Sequence, residues 1–108
     1  MKIEGNKLLL NEEVKFPFPI TKCIVSQNRV LVLLNIPPKV IFNENVYCVG
    51  LNGNTIWQIS KLDYLYENSP FVNIMESGNG DILVINWDGS QYAVDIETGN
   101  ILSRNFHK

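Results

Sequence analysis

The chain has almost no histidine, little cysteine and no helical rhythm, and each shortage removes a class of function. Its one histidine, His107, is the penultimate residue. A frayed terminus makes a poor active site, so Ser-His-Asp and Cys-His catalysis are not expected. No Cys or His cluster has metal-ligand spacing, which argues against zinc. Neither a phosphate-binding loop nor a dinucleotide fingerprint occurs. Lys and Arg number 9 against 11 Asp and Glu, giving a formal net charge of -2. No basic patch dominates, so direct nucleic-acid binding is not expected. No apolar run approaches the length of a membrane span, and Met1 to Asn6 lack the charged-then-apolar pattern of a signal peptide. The expected compartment is therefore the cytoplasm. Cys23 and Cys48 each sit in an alternating apolar stretch and read as reduced, buried thiols, with a disulfide as the alternative.

Strand patterns and turn signals are abundant. With 108 residues and 45% hydrophobic content, the chain suits one globular domain, 1–108, with a real core. Ile3 to Leu10 reads as a short hairpin around Gly5-Asn6. Val14 to Phe18 is extended, and Pro17 and Pro19 keep it from a central sheet position. Strands follow at Ile20 to Ser26 and Arg29 to Asn35, with a turn at Gln27-Asn28. After the loop from Ile36 to Glu44, Val46 to Leu51 and Thr55 to Ser60 form a hairpin over Asn52-Gly53, a pair suited to a type I′ turn. Lys61 to Pro70 is an irregular connection with room for one helical turn. Four more strands are expected at Phe71 to Glu76, Asp81 to Trp87, Gln91 to Ile96 and Asn100 to Phe106, with turns at Ser77-Gly78-Asn79-Gly80, Asp88-Gly89 and Glu97-Thr98-Gly99.

The chain also repeats itself. Val46 to Trp57 aligns with Gln91 to Leu102, so that Tyr47 matches Tyr92, Val49 matches Val94, Gly53 matches Gly99 and Asn54 matches Asn100. The spacing of about 45 residues lies in the range of four-stranded repeat units. The halves cover about 20–60 and 71–106. The segment Asp88 to Leu102 resembles a blade of the quinoprotein-type (PQQ-like) β-propeller repeat. Asn52-Gly53-Asn54-Thr55-Ile56-Trp57 resembles the same hairpin with its Trp, which is Ser103 in the second half. Two blades do not close a propeller. The quinone cofactor of full propellers sits on an axis this chain cannot build, so the resemblance implies scaffold and no cofactor.

The expected fold is thus all-β and antiparallel: two four-stranded, propeller-blade-like meanders packed as a sandwich. Val30, Val32, Leu34, Val46, Cys48, Ile82, Val84 and either Tyr92 or Ala93 are the expected inward set, with Trp57 and Trp87 at the margin.

Asp81, Asp88 and Asp95 recur every seven residues, a spacing that raises calcium binding, but they fall on separate strand ends and turns, where Asp has a local structural role. What remains is aromatic. Asp63, Tyr64, Tyr66 and Glu67 lie together in the inter-repeat connection, and mixed aromatics and carboxylates suit a protein interface. The alternative is that these tyrosines cover the open end of the core. Trp87 and Asp88 mark a second candidate surface. The stretches Phe42 to Val46 and Gly53 to Trp57 resemble small bacterial all-β proteins, and the abundance of Asn, Ile and Lys resembles products of AT-rich accessory genes, where toxin–immunity pairs are common. The resemblance implies a non-enzymatic immunity protein, monomeric alone or heterodimeric with a basic toxin domain, such as a nuclease, whose active site it occludes. The alternative is a small-ligand-binding or structural β-module.

Overall fold

The computed structural model describes residues 1–78 and 80–106. His107 and Asn79, the latter in an expected turn, lie outside the described residues. Eleven strands are present and no helix among the described residues: β1 Lys2–Glu4, β2 Lys7–Leu9, β3 Glu13–Lys15, β4 Ile20–Ser26, β5 Arg29–Leu34, β6 Val46–Gly50, β7 Thr55–Gln58, β8 Phe71–Glu76, β9 Ile82–Asn86, β10 Ser90–Val94 and β11 Ile101–Phe106. Two four-stranded antiparallel meanders, β4-β5-β6-β7 and β8-β9-β10-β11, follow the expected limits closely. The expectation of two layers needs one correction. The N-terminal residues do more than form a hairpin: β3 pairs with β2 and completes a third, three-stranded sheet.

That third sheet decides where the core lies. β5 reads Arg-Val-Leu-Val-Leu-Leu, and every residue after Arg29 is buried. Leu31 and Leu33, paired with Cys48 and Val46 of β6, join Trp57, Ile74, Val84, Tyr92 and Val94 in one cluster between the two meanders. Val30, Val32 and Leu34 point the other way. They pack with Val49, Leu8 and Phe16 under the N-terminal sheet. The inward set expected for β5 was therefore the wrong alternation: Val30, Val32 and Leu34 face the N-terminal sheet. A strand covered on both faces shows no alternation, so its sequence does not say which face is which. In β6, β9 and β10 the expected set holds, with Val46, Cys48, Ile82, Val84 and Tyr92 buried and Ala93 on the opposite face.

The turn at Asn52-Gly53 differs from expectation. A type I′ turn needs positive φ at both central residues. In the Asn52-Gly53 loop only Gly53 has it, at φ 89°. Gly53 N donates to Gly50 O at 2.9 Å and Gly50 N donates to Asn54 O at 2.8 Å, a tight turn ended by a left-handed glycine. Gln27-Asn28, expected as a turn, is a two-residue turn with both angles positive, at φ 51° and 63°, between the paired Ser26 and Arg29. Lys61 to Pro70 contains bends and no helical turn.

Trp57 does not sit at the margin. It is buried, and its indole N–H donates to Ile96 O at 2.7 Å, so the first meander reaches into the last turn of the second. A buried polar seam joins the halves as well. Asn45 Nδ2 donates to Leu34 O and Phe71 O, while Asn45 Oδ1 accepts from Phe71 N, so one amide serves three backbone groups. Cys23 lies in the cluster under the N-terminal sheet and Cys48 in the cluster between the meanders, on opposite faces of one sheet. A disulfide between them is geometrically excluded.

Candidate functional site

Two connections build the surface where the sequence placed its candidates: 35–45, between β5 and β6, and 59–70, between the meanders. Neither has regular structure, so side-chain amides hold them. Asn43 Nδ2 donates to Glu67 O at 2.8 Å while Asn43 Oδ1 accepts from Ser69 N at 2.8 Å. Asn68 Nδ2 donates to Pro38 O at 2.9 Å. Ser69 is buried, and its hydroxyl donates to Asn86 Oδ1, while Asn86 Nδ2 returns a bond to Ser69 O. The loops are thus fixed to each other and to β9. Preorganised loops lose less entropy on meeting a partner.

Between them lies an open groove of about 530 Å³. Glu44, Asp63 and Glu67 line it with one cation, Lys61. Tyr64 and Tyr66 stand in the same wall but differ in role. Tyr64 is half-buried against the core, edge-on to Phe71 at 6.5 Å, and its hydroxyl donates to Glu44 Oε2 at 2.7 Å. Burial raises the Tyr64 phenol well above its ordinary 10.0, and the bond to Glu44 and that carboxylate's charge push it further the same way. The phenol therefore stays neutral and keeps donating. Tyr64 is the covering residue that the alternative reading described.

Tyr66 is the exposed one. It is 51% accessible and meets Trp87, 59% accessible, edge to face with ring centroids 5.6 Å apart. Leu65, at 67%, stands beside it in the chain. Two large aromatic rings held together in solvent, next to an acidic groove, form the most conspicuous feature of this surface. Beyond Trp87 lies a second cleft, also of about 530 Å³, lined mainly by apolar side chains including Ile36, Pro37, Pro70, Phe71 and Val72.

The structure thus brings Asp63, Tyr64, Tyr66 and Glu67 to one groove and sets Trp87 at its end. Asp88 is apart from it. Its Oδ1 accepts from Ser90 N at 2.8 Å, as Asp95 Oδ1 accepts from Glu97 N at 2.9 Å, so both are turn carboxylates. Sequence reasoning did not single out Glu44, Leu65 or the apolar cleft. Glu44 could have been suspected from its place beside Asn43 and Asn45 in a loop that must be held by side chains. The cleft, assembled from both meanders, has no local signal.

The chain belongs to the family described as Domain of unknown function (DUF7957), which it matches over residues 1–106. Searches of curated proteins and of solved structures gave no match.

Proposed function

We propose that this chain is a non-enzymatic protein-binding domain that takes a basic partner against its acidic groove, and that its biological form is an immunity protein occluding the active site of a cognate toxin. The observation that carries the reading is the exposed Tyr66–Trp87 pair beside Glu44, Asp63 and Glu67. Aromatic anchors supply most of the binding energy at interfaces, and the surrounding carboxylates steer a cationic partner into place. A basic nuclease domain has the matching charge. In this reading the chain is a cytoplasmic monomer until it meets the toxin and then a heterodimer. The two meanders serve as propeller-blade-like units packed as a sandwich. Their common strand order and the shared positive φ of Gly53 and Gly99 support that kinship.

The test is protection of cells expressing the toxin encoded beside the gene. Wild type should protect, and the Tyr66→Ala, Trp87→Ala double variant should be folded and fail to protect. Undiminished protection by the double variant would remove the groove from the interface. The absence of any toxin to protect against would remove the immunity assignment.

A small-ligand reading is favoured by one observation, the mainly apolar cleft beyond Trp87, whose size falls within the range of ligand pockets. Saturable binding of a small apolar compound, weakened by Phe71→Ala and unaffected by Tyr66→Ala, would support it.

A further inference from the structure

The Tyr66–Trp87 pair is also a partition. Tyr66 lines the acidic groove and Trp87 lines the apolar cleft, and their rings meet with centroids 5.6 Å apart. The chain passes from one cavity to the other in a single step, since Glu67 lines the groove and Asn68 lines the cleft. Each cavity holds about 530 Å³. Side-chain amides fix both walls: Asn43 Nδ2 donates to Glu67 O at 2.8 Å on the groove side, and Asn68 Nδ2 donates to Pro38 O at 2.9 Å on the cleft side. Two preformed cavities thus adjoin across a ridge one ring pair thick.

The cavities differ in what they accept. Glu44, Asp63 and Glu67 share the groove with one lysine, and the Tyr66 ring adds a surface that attracts a guanidinium or ammonium group. The complement of the groove is a cationic side chain. None of the described residues that line the cleft is charged. Pro37, Pro38, Pro70 and Val72 suit an aliphatic or aromatic side chain, while Thr21 and Asn35 bring polar groups suited to a peptide backbone. The ridge sets the spacing between the two occupants. A contact of about 3.7 Å on the outer side of each ring, added to the 5.6 Å between centroids, puts the bound side chains about 13 Å apart. An extended chain rises about 3.3 Å per residue, so four residues span that distance. Residues i and i+4 of an extended chain also point to the same side.

We propose that groove and cleft are two subsites for one extended segment of the partner. The segment straddles the ridge, with an arginine or lysine in the groove and an apolar side chain, four positions along, in the cleft. This rests on the reading of the groove as the site of a basic partner and adds the sequence pattern that the partner carries. Opposite charge selects the occupant of the groove, and the uncharged cleft rejects a second cation. Neither subsite suffices alone: an exposed charge pair is worth little, and one partly enclosed apolar side chain not much more. Joining them through one short stretch of chain makes the second contact intramolecular, which is why the spacing matters. The apolar cleft then belongs to the same interface as the groove.

Nuclear magnetic resonance titration of the full chain with Ac-Arg-Ser-Gly-Ser-Leu-amide tests it. Binding should saturate with a Kd on the order of 1 mM, and shifts should appear in 63–68, in 35–38 and at the Trp87 indole. Replacing the peptide's Arg by Gln, replacing its Leu by Ser, or shortening it to Ac-Arg-Gly-Leu-amide should each weaken binding about fivefold or more. Asp63→Asn with Glu67→Gln should weaken the parent peptide by the same factor and leave the Gln peptide unaffected. Val72→Asn should weaken the parent and leave the Ser peptide unaffected, while Glu97→Gln changes nothing. All four side chains are exposed, so the variants should fold, and the wild-type shifts need no variant. No saturable shifts at about 10 mM peptide, shifts confined to one cavity, or indifference to the spacing would each overturn the proposal. Peptide binding of this pattern without any toxin partner would uphold it and remove the immunity reading. A toxin bound through Tyr66 and Trp87, with no peptide binding, would do the reverse.

Discussion

Replacing Gly99 with Ala tests how the two meanders are joined. Gly99 has φ 79°, in the left-handed region that L-residues avoid, and it lies under the Trp57 ring. A Cβ at this position would stand 2.7 Å and 2.8 Å from ring carbons of Trp57. The ring cannot simply retreat, because its N–H is bonded to Ile96 O and its faces are packed in the core. The backbone conformation alone costs about 1–2 kcal/mol for Ala. Overpacking against a fixed ring adds about 1–3 kcal/mol. Gly53 is the natural control. Its φ is 89°, but an added Cβ would meet only Val14 at 3.4 Å and Glu12 at 3.6 Å. Gly53→Ala should therefore cost about 1–2 kcal/mol, and Gly99→Ala about 2–5 kcal/mol. Urea melts followed by circular dichroism measure both, with slopes compared to exclude a change in the unfolded state. Adding Trp57→Leu to each should show coupling with Gly99→Ala and none with Gly53→Ala. Equal midpoint shifts for the two glycines, or no coupling to Trp57, would refute the contact.

Other expectations follow from the same structure. Burial lifts the thiols of Cys23 and Cys48 from 9.0 to about 11, so both should react slowly with a thiol reagent at pH 8 in the native state and quickly in denaturant. The same burial makes the folded state hold protons that the unfolded chain releases. Stability should be independent of these groups below about pH 9 and fall as pH rises toward about 11, and the Tyr64 phenol, also shifted upward, pushes the same way. Melting temperatures that stay flat from pH 8 to 11 would contradict this. Asn45→Leu leaves buried Leu34 O, Phe71 O and Phe71 N without their partner and should cost about 3 kcal/mol or more, read by urea melts. Tyr64→Phe keeps the ring but loses the bond to Glu44, so a cost of only about 1 kcal/mol is expected.

The architecture was legible where the chain alternates and turns sharply. β9 and β10 show period-two burial, and their limits follow from it. β5 is the counterexample: its unbroken apolar run predicts a strand but hides which residues face which layer. The third sheet escaped notice because β1 to β3 have only three residues each, too few for periodicity to register. At the candidate surface, composition alone found the carboxylates and tyrosines of 63–67. It did not separate Tyr64 from Tyr66, because that distinction lies in the bond to Glu44 twenty positions away. Nor did it bring Tyr66 to Trp87, since that contact needs the fold of the inter-repeat connection over β9.

The central claim, that the chain occludes a basic toxin domain, is tested most directly by calorimetric titration of the purified chain with any such domain that a neighbouring gene encodes. The account predicts one-to-one binding that blocks the toxin's activity. Truncating the touching pair Tyr66 and Trp87 to Ala should weaken it at least a hundredfold, about 2.7 kcal/mol or more, with the circular dichroism spectrum unchanged. Binding that is absent, or that survives the double truncation undiminished, would contradict it.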